Sequence, residues 1–269
     1  MTPTSASLAD IICTNNLEEP TTMFSSALAR VSSHLPSALK FRLSRLRPFY
    51  ARILSSSQSV VSVSTQHGDI KWCLDELTCE GHLTGKYEPY MQEAISKLLR
   101  PEMTVYDVGA HAGFHALFCA LTAHQTIAFE PHPGNRASIE RQLNLNPQLN
   151  VRLVPYALSD SNRQGALSEP SNSSMAFVSS DGEIPIELRT LDSLVAQGMP
   201  PPDLIKIDVE GHELSVLRGG AETIRAHHPI ILCDRNDEST SKEVSEMLAE
   251  FSYRVTGEFP VICLPQDAA

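Results

Sequence analysis

The chain has 269 residues, of which 42% are hydrophobic, and it contains 13 glycines and 18 prolines. This composition supports a packed core and excludes collagen-like and wholly disordered classes, and no apolar run is long enough to span a membrane. The net charge of −11 argues against general nucleic-acid binding, because basic patches supply most of that affinity.

The first predicted segment is a basic, Ser-rich arm over residues 1–58. Residues 1–68 hold six basic and three acidic side chains, whereas the rest of the chain is strongly acidic. Short amphipathic helices are expected within Met23–Leu54, interrupted at its two prolines. Three interpretations stay open for the arm: an organelle-targeting presequence if translation starts at Met23, peripheral docking on an anionic membrane or a protein chain, and a plain extension.

The second predicted segment, residues 59–100, leads into the core. Weak alternation over Val60–Val63, a His-Gly turn and the apolar residues of Ile70–Leu74 predict a small antiparallel hairpin. A helix is expected over Tyr90–Leu99, ending before a proline.

The core domain is assigned to residues 101–269, where short apolar segments alternate with helical ones. Strands are predicted over Val105–Val108, Thr126–Phe129, Val151–Val154, Leu204–Val209 and Ile230–Cys233. Helices are predicted over Phe114–Thr122, Pro133–Asn146, Glu213–His227 and Ser241–Phe251. Residues 156–190 resemble irregular strands and turns, and Tyr253–Leu264 a terminal antiparallel hairpin. This alternation predicts an α/β fold with a mostly parallel sheet covered on both faces.

The strongest motif is Asp107-Val-Gly109-Ala-His-Ala-Gly113, in which an acid ends the first core strand and a glycine turn opens a helix. The glycines allow close approach of a ligand to the backbone, and the helix N-terminus faces that ligand. The glycine spacing of a dinucleotide site is absent, which favours a compact nucleoside. Glu130 ends the next strand, where an acid can accept both ribose hydroxyls. The alternative is an ordinary strand–turn–helix with a surface glutamate.

The second motif runs from Lys206 to Glu213. Strand alternation would place Lys206, Asp208 and Glu210 on one side of a strand as it ends, where such sheets bind ligands. Two alternatives stay open. Glu210 and Glu213 could simply stabilise the start of the next helix, or the Asp, Glu and His residues could bind a divalent metal.

The six cysteines contain no Cys-x-x-Cys pair. Cys119 and Cys233 lie inside apolar runs and are predicted to be buried. We therefore expect neither a disulfide framework nor a zinc site, and a reducing, cytoplasmic compartment.

The chain resembles S-adenosylmethionine-dependent methyltransferases of the FkbM type, a Rossmann-like class I group, over about residues 83–235. Several motifs carry this resemblance in the family's order and spacing: Gly85-Lys-Tyr87-Glu88-Pro89, Asp107 to Gly113, Phe129-Glu130-Pro131-His-Pro133, Asn144-Leu-Asn146, Ala157-Leu-Ser159-Asp160, Ser173-Ser174, Thr190-Leu191-Asp192, Lys206 to Glu213, and Leu217-Arg218-Gly219. Two positions depart from the family pattern. His111 stands where Asn is usual, and Cys233-Asp234 where Val-Glu or Leu-Glu is common.

The resemblance implies a methyltransferase that uses S-adenosyl-L-methionine and no metal. The methionine part of the cofactor would be cradled by Asp107, Gly109, Ala110 and Gly113. Glu130 would hold the ribose, and Ala157 and Asp160 would line the adenine pocket.

For catalysis, Asp208 is the favoured positioning residue or base, with Glu210 and His212 next. The expected acceptor is a small hydroxylated metabolite or sugar that is methylated on oxygen. The rival hypotheses are a catalytically silent binding module with the cofactor fold and, less favoured, a nicotinamide-dependent oxidoreductase.

Overall fold

A computed structural model of the protein describes residues 59–169, 175–234, 238–256 and 260–266. The predicted basic arm, residues 1–58, and the Ser173-Ser174 motif lie outside these residues. Within the described ranges, none of the helices combines the length and hydrophobicity needed to traverse a lipid bilayer.

The described residues form the following strands and helices. The strands are β1 (Val60–Thr65), β2 (Gly68–Cys73), β3 (Thr104–Val108), β4 (Gln125–Phe129), β5 (Val151–Val154), β6 (Tyr156–Leu158), β7 (Arg163–Ser168), β8 (Phe177–Val178), β9 (Ile184–Arg189), β10 (Leu204–Ile207), β11 (Ile230–Cys233), β12 (Tyr253–Thr256) and β13 (Val261–Pro265). The helices are α1 (Glu80–Thr84), α2 (Pro89–Leu98), α3 (Phe114–Ala120), α4 (Pro133–Leu145), α5 (Leu191–Ala196), α6 (Glu213–Gly219), α7 (Ala221–His227) and α8 (Glu238–Glu250).

The central sheet has seven strands in the order β12-β13-β11-β10-β3-β4-β5. The five strands from β11 to β5 are parallel, whereas β13 runs antiparallel to both β11 and β12. The order reverses between β3 and β10, and open α/β sheets bind ligands at such a switch point. The predicted Rossmann-like α/β fold and its terminal antiparallel hairpin are confirmed.

Both faces of the central sheet are buried, as the predicted fold requires. Alternation along β3 sends Tyr106 and Val108 into a cluster with residues of α6, α7 and α8. It sends Val105 to the opposite face, into a cluster with residues of α2, α3 and the β1–β2 hairpin. The hairpin therefore helps to cover the sheet, although it pairs only within itself.

Helix α4 satisfies the open edge of strand β2 with two side-chain amides. Gln142 accepts a hydrogen bond from the Cys73 amide at 2.7 Å and donates to the Cys73 carbonyl at 3.0 Å. Asn146 does the same for Lys71, at 2.9 and 2.7 Å. Because residues 71 and 73 face the same side of the ladder, the two amides replace a missing neighbouring strand and protect the edge.

The prediction of one continuous helix over Glu213–His227 is wrong, because this segment forms two helices, α6 and α7, separated at Gly220. A Cβ atom on Gly219 would lie 1.9 Å from the Ser159 carbonyl oxygen, so the chain there packs closer than any side chain permits. Two adjacent glycines also favour a break. The tertiary contact, rather than helical periodicity, sets the boundary.

Two further predictions of secondary structure need correction. The strand expected over Leu204–Val209 ends at Ile207, so Asp208 and Glu210 lie in the loop that follows it. The region 156–190 is more regular than expected. It contains a second sheet with the order β6-β9-β7-β8, and this sheet contributes one wall of the cleft described below.

Candidate functional site

A cleft of about 310 Å³ lies at the carboxyl ends of β3, β4, β10 and β11. Six of the predicted site residues line it: Gly109, Glu130, Ala157, Asp208, Glu210 and His212. The other four do not line it: Asp107, Ala110, Gly113 and Asp160. The structure therefore brings most of the predicted residues together, and the remaining ones support the loops around them or lie on the surface.

The glycine turn after β3 is held by its neighbours on both sides. Gly109 has a φ of 80°, and a Cβ atom there would lie 1.9 Å from the Asp208 carbonyl oxygen. The Gly109 and Ala110 amides both donate to the Phe129 carbonyl, at 3.0 and 3.1 Å. Gly113, with a φ of 87°, precedes α3 and donates to the Ala110 carbonyl at 2.7 Å. Ala110 and Gly113 thus shape the turn through their backbone.

Glu130 is a buried carboxylate beside the glycine turn, with 4% of its surface exposed. Its two oxygens accept the backbone amides of His111 and His132, each at 2.8 Å. Burial raises the pKa of Glu130 to about 7, despite these hydrogen bonds. The Asn135 side chain also hydrogen-bonds to this carboxylate. Because a carboxylate offers about four lone-pair sites, it keeps capacity to accept from a hydroxyl donor.

His111 adopts a left-handed conformation with a φ of 49°. Asn and His are both enriched in this region, so the departure from Asn keeps the backbone of the turn. Both ring nitrogens are buried and have no hydrogen-bond partner among the described residues. Burial lowers the pKa of His111 to about 4, so the ring is neutral at physiological pH. A bound molecule that supplied a donor and an acceptor would therefore fit beside it.

Lys206 links Asp107 and Asp208, one acid from each predicted motif, at the base of the site. It is 3% exposed, and its Nζ lies 3.2 Å from Asp107 and 3.3 Å from Asp208. It also donates to the Gly109 carbonyl at 3.0 Å. Burial alone would lower the pKa of Lys206, but the two carboxylates outweigh it and hold the pKa well above its usual range. Asp107 is therefore an internal partner of this ammonium group, with 1% of its surface exposed.

The acidic wall of the cleft consists of Glu88, Asp208 and Asp234, whose carboxylate oxygens lie within 4.8 Å of one another. The Tyr90 hydroxyl donates to Asp234 at 3.1 Å. No role was predicted for Glu88, although it belongs to the Gly85–Pro89 motif. Asp234 was noted only as a departure from the family pattern. Oxygen ligands at this spacing could share a cation, so the absence of a metal requirement stays a prediction.

The loop after β10 differs from the expected strand ending. Glu210 is left-handed with a φ of 51°, and Gly211 follows with a φ of 91°. The Gly211 amide donates to the Glu213 carboxylate at 3.1 Å, so the helix-capping alternative describes Glu213 well. His212 lies 3.0 Å from the Ser159 hydroxyl.

Asp160 is exposed outside the cleft, where its carboxylate accepts from Ser159 and Ser161 at 3.3 and 2.9 Å. All five described cysteines are free, and Cys119 and Cys233 are buried, as predicted.

A profile of the family described as "Methyltransferase FkbM domain" matches residues 107–255. The chain is 31% identical over 151 residues to hexuronic acid methyltransferase AglP of Haloferax volcanii, a match that covers 54% of this chain and 61% of the relative. It is also 31% identical over 156 residues to the 2-O-methyltransferase NoeI of Sinorhizobium fredii, covering 49% of this chain and 63% of the relative. The chain thus spans less than two thirds of the length of either relative.

Among solved structures, a methyltransferase FkbM from Methylobacillus flagellatus KT is similar with a TM-score of 0.47 and 18% identity, covering 68% of this chain and 51% of that one. The family match extends over more than half of the chain, from the glycine turn after β3 to the last hairpin. This protein belongs to the FkbM methyltransferase family.

Proposed function

We propose that the protein is an S-adenosyl-L-methionine-dependent O-methyltransferase that acts on a hydroxyl group of a sugar or another small hydroxylated metabolite. The observation that carries the proposal is the buried Glu130 carboxylate at the end of β4, which lines the cleft and is held by two backbone amides. The family match and the printed activities of the two curated relatives support the same reaction class.

The residues present fit this cofactor. Glu130 would accept the two ribose hydroxyls, and Gly109 with Ala110 and Gly113 would form the turn beside the methionine part. The neutral His111 ring offers a donor and an acceptor without placing a positive charge near a sulfonium ion. Ala157 lines the cleft and would contact adenine. Asp160 does not fit the adenine pocket directly, because it is exposed outside the cleft and could affect adenine only through the adjacent residue Ser159.

When bound, the cofactor supplies a methyl group that is already activated, so the protein must align the acceptor and exclude water. Asp208 is the residue we expect to position the acceptor beside the methyl group, because Lys206 fixes one of its oxygens at 3.3 Å. Glu210 and His212 also line the cleft, and we expect them to contact the acceptor from the loop after β10. A sugar, with several hydroxyls, suits this group of polar side chains.

A test combines binding with product analysis. Calorimetry should show binding of S-adenosyl-L-methionine and no comparable binding of a nicotinamide dinucleotide. Mass spectrometry should show methyl incorporation from labelled cofactor into a panel of hexuronic acids and methyl glycosides. Cofactor binding without methyl transfer to any small hydroxylated compound, in the panel or in a cell extract, would favour the catalytically silent binding module. Failure to bind the cofactor would refute the proposal altogether.

The basic arm is proposed to act apart from this chemistry, as a peripheral docking segment for an anionic surface. A chain that begins at Ser55 should therefore keep its cofactor affinity. A soluble, folded chain of this length without measurable affinity would show that the arm completes the site. Neither nucleic-acid binding nor a transmembrane anchor is part of the proposal, and a cytoplasmic location stays a prediction.

A further inference from the structure

Glu88 occupies a strained backbone position at the cleft. Its φ and ψ are 45° and 67°, in the left-handed region, and Pro89 follows directly. Residues before proline are displaced from helical conformations toward extended ones, and a side chain larger than glycine adds further strain. The Glu88 carbonyl accepts the Met91 and Gln92 amides at 3.0 and 3.1 Å, which fixes this conformation at the start of α2.

The Glu88 carboxylate is not used to stabilise the helix that it precedes. It stands at the N-cap of α2 but makes no side-chain capping bond. Instead the side chain lines the cleft, with 22% of its surface exposed. Strained residues persist where the surrounding structure imposes them, and they concentrate at active sites. A strained residue whose functional group faces a cleft is therefore a candidate for chemistry.

Neighbouring groups satisfy the Glu88 carboxylate only in part: it hydrogen-bonds to the Tyr87 side chain, whereas one of its oxygens makes no such bond. Glu88 Oε2 is buried and has no hydrogen-bond partner among the described residues. The Nδ1 atom of His115 lies 3.7 Å away, but burial lowers the pKa of His115 well below its usual range, so the ring carries no charge. By contrast, Asp208 shares an oxygen with Lys206, and Asp234 accepts from Tyr90. Neither the neutral His115 ring nor the Tyr87 hydroxyl supplies a positive charge, so neither of them opposes the uptake of a proton by Glu88.

We propose that Glu88 is the catalytic base of the reaction and accepts the proton of the acceptor hydroxyl. This inference rests on the proposed function. The acceptor oxygen forms its new bond to the methyl carbon as the bond from that carbon to sulfur breaks, and the bonding electron pair stays on sulfur. The hydroxyl proton moves to the Glu88 carboxylate and later leaves to solvent. Asp208, already bound to Lys206, positions the acceptor.

The electrostatic surroundings of Glu88 suit this role. The groups that face it are Tyr87 before α2, Tyr90 on α2, His115 on α3, Lys206 and Asp208 at the end of β10, and Asp234 after β11. Burial raises the pKa of Glu88 to about 7, because it outweighs the attraction of Lys206, and Asp208 adds to the rise. A base is most effective when its pKa lies near the working pH, so that it is ionised before the transfer and still basic enough to take the proton.

The first experiment compares Glu88→Gln with Glu93→Gln in the full chain. Glu93 lies on the same helix and is exposed, with its carboxylate paired to Lys97. Turnover is measured at saturating labelled S-adenosyl-L-methionine with whichever hexuronic acid or methyl glycoside the wild type methylates. We expect kcat to fall at least about 100-fold for Glu88→Gln, with cofactor affinity unchanged by calorimetry, and no change for Glu93→Gln. The wild-type kcat should rise with pH through about 7, and Glu88→Gln should lose this rise.

The second experiment uses Glu88→Gly, which suits the left-handed backbone and removes the carboxylate. Added formate should restore part of its turnover, because formate can occupy the vacated space and accept the proton. Infrared spectra of unliganded protein between pH 5 and 9 provide a readout that needs no acceptor. Glu88 and Glu130 should both contribute carboxyl bands that titrate near neutral pH in the wild type, and Glu88→Gln should lose one of these two contributions.

Each remaining outcome separates the two proposals. Wild-type methyl transfer with normal turnover in Glu88→Gln would overturn the role of Glu88 and leave the proposed function intact. Recovery of Glu88→Gln turnover by magnesium would also overturn it, because the residue would then act through a cation. A wild type that does not bind the cofactor would overturn both.

Discussion

The two halves of the cleft neutralise their carboxylates in different ways. In the half that we propose binds the cofactor (the cofactor half), around Gly109 and Glu130, two backbone amides donate to a buried acid. In the half that we propose binds the acceptor (the acceptor half), three acids from separate segments converge, and one buried ammonium group on Lys206 offsets part of their charge. Backbone dipoles suit a neutral ribose, whereas an excess of negative charge suits a sulfonium ion and a departing proton. The comparison predicts that the two halves respond differently to substitution.

The largest effect is expected from Lys206→Met, which removes the positive charge paired with Asp107 and Asp208. Removing one partner of a buried ion pair leaves an uncompensated charge and costs about 3–5 kcal/mol. Urea unfolding should show this loss. Lys97→Met is the control, because its pair with Glu93 is exposed to solvent and should contribute little to the free energy of unfolding. A loss below about 1 kcal/mol for Lys206→Met would mean that the acceptor half does not depend on this lysine.

The next effect is on turnover. Asp208→Asn keeps the shape of the side chain but removes its charge, so we expect kcat to fall by about 100-fold or more with the fold intact. Glu210→Gln should behave similarly if it orients the acceptor. Turnover of labelled methyl groups and circular dichroism measure the two properties. The exposed Asp181→Asn is the control. Near-normal turnover in both cleft variants would mean that Asp208 and Glu210 have no catalytic role and that the loop only starts α6, with Glu213 stabilising the start of that helix.

In the cofactor half, the expected effect is on binding. Glu130→Ala should weaken S-adenosyl-L-methionine about 10- to 100-fold, because hydrogen bonds to a charged group contribute about 1.5–3 kcal/mol. The wild-type affinity should also fall as the pH decreases through about 7, since the raised pKa of Glu130 then leaves it protonated and less able to accept. Calorimetry at several pH values measures both effects.

Glu140→Ala, an exposed substitution on α4, is the control for this binding experiment. Unchanged cofactor affinity in Glu130→Ala would refute the ribose assignment. It would also contradict the expectation that substitutions in the cofactor half change binding whereas those in the acceptor half change turnover.

The meeting of the glycine turn with Glu130 could be predicted from sequence, because its determinants are local. An acid at the end of β3, the glycines of the turn and Glu130 at the end of β4 all follow from one strand–turn–helix–strand segment. The central sheet was predictable for the same reason, since short apolar strands alternate with helices. The role of Asp107 was not, because its burial against Lys206 depends on the pairing of β3 with β10.

The acceptor half could not be assembled from sequence alone. Glu88 belongs to a recognisable motif, but its strained backbone and its unsatisfied oxygen depend on contacts made by α2, α3 and β10. The division of the predicted helix at Gly220 has a similar origin, because the close approach of Gly219 to Ser159 joins distant segments. Local patterns predict elements, whereas such long-range contacts set where the elements stop and which acids meet.

The smallest effect is expected from metal removal, which tests whether the negative charge of the acceptor half is offset by Lys206 without a bound cation. Three carboxylates within 4.8 Å of one another could bind a cation. However, one oxygen of Asp208 is already paired with Lys206 and one of Asp234 already accepts from Tyr90, which leaves fewer oxygens than the six to eight that calcium takes. Turnover measured before and after dialysis against EDTA should therefore differ by less than about twofold. Loss of turnover that magnesium or manganese restores would make these acids metal ligands.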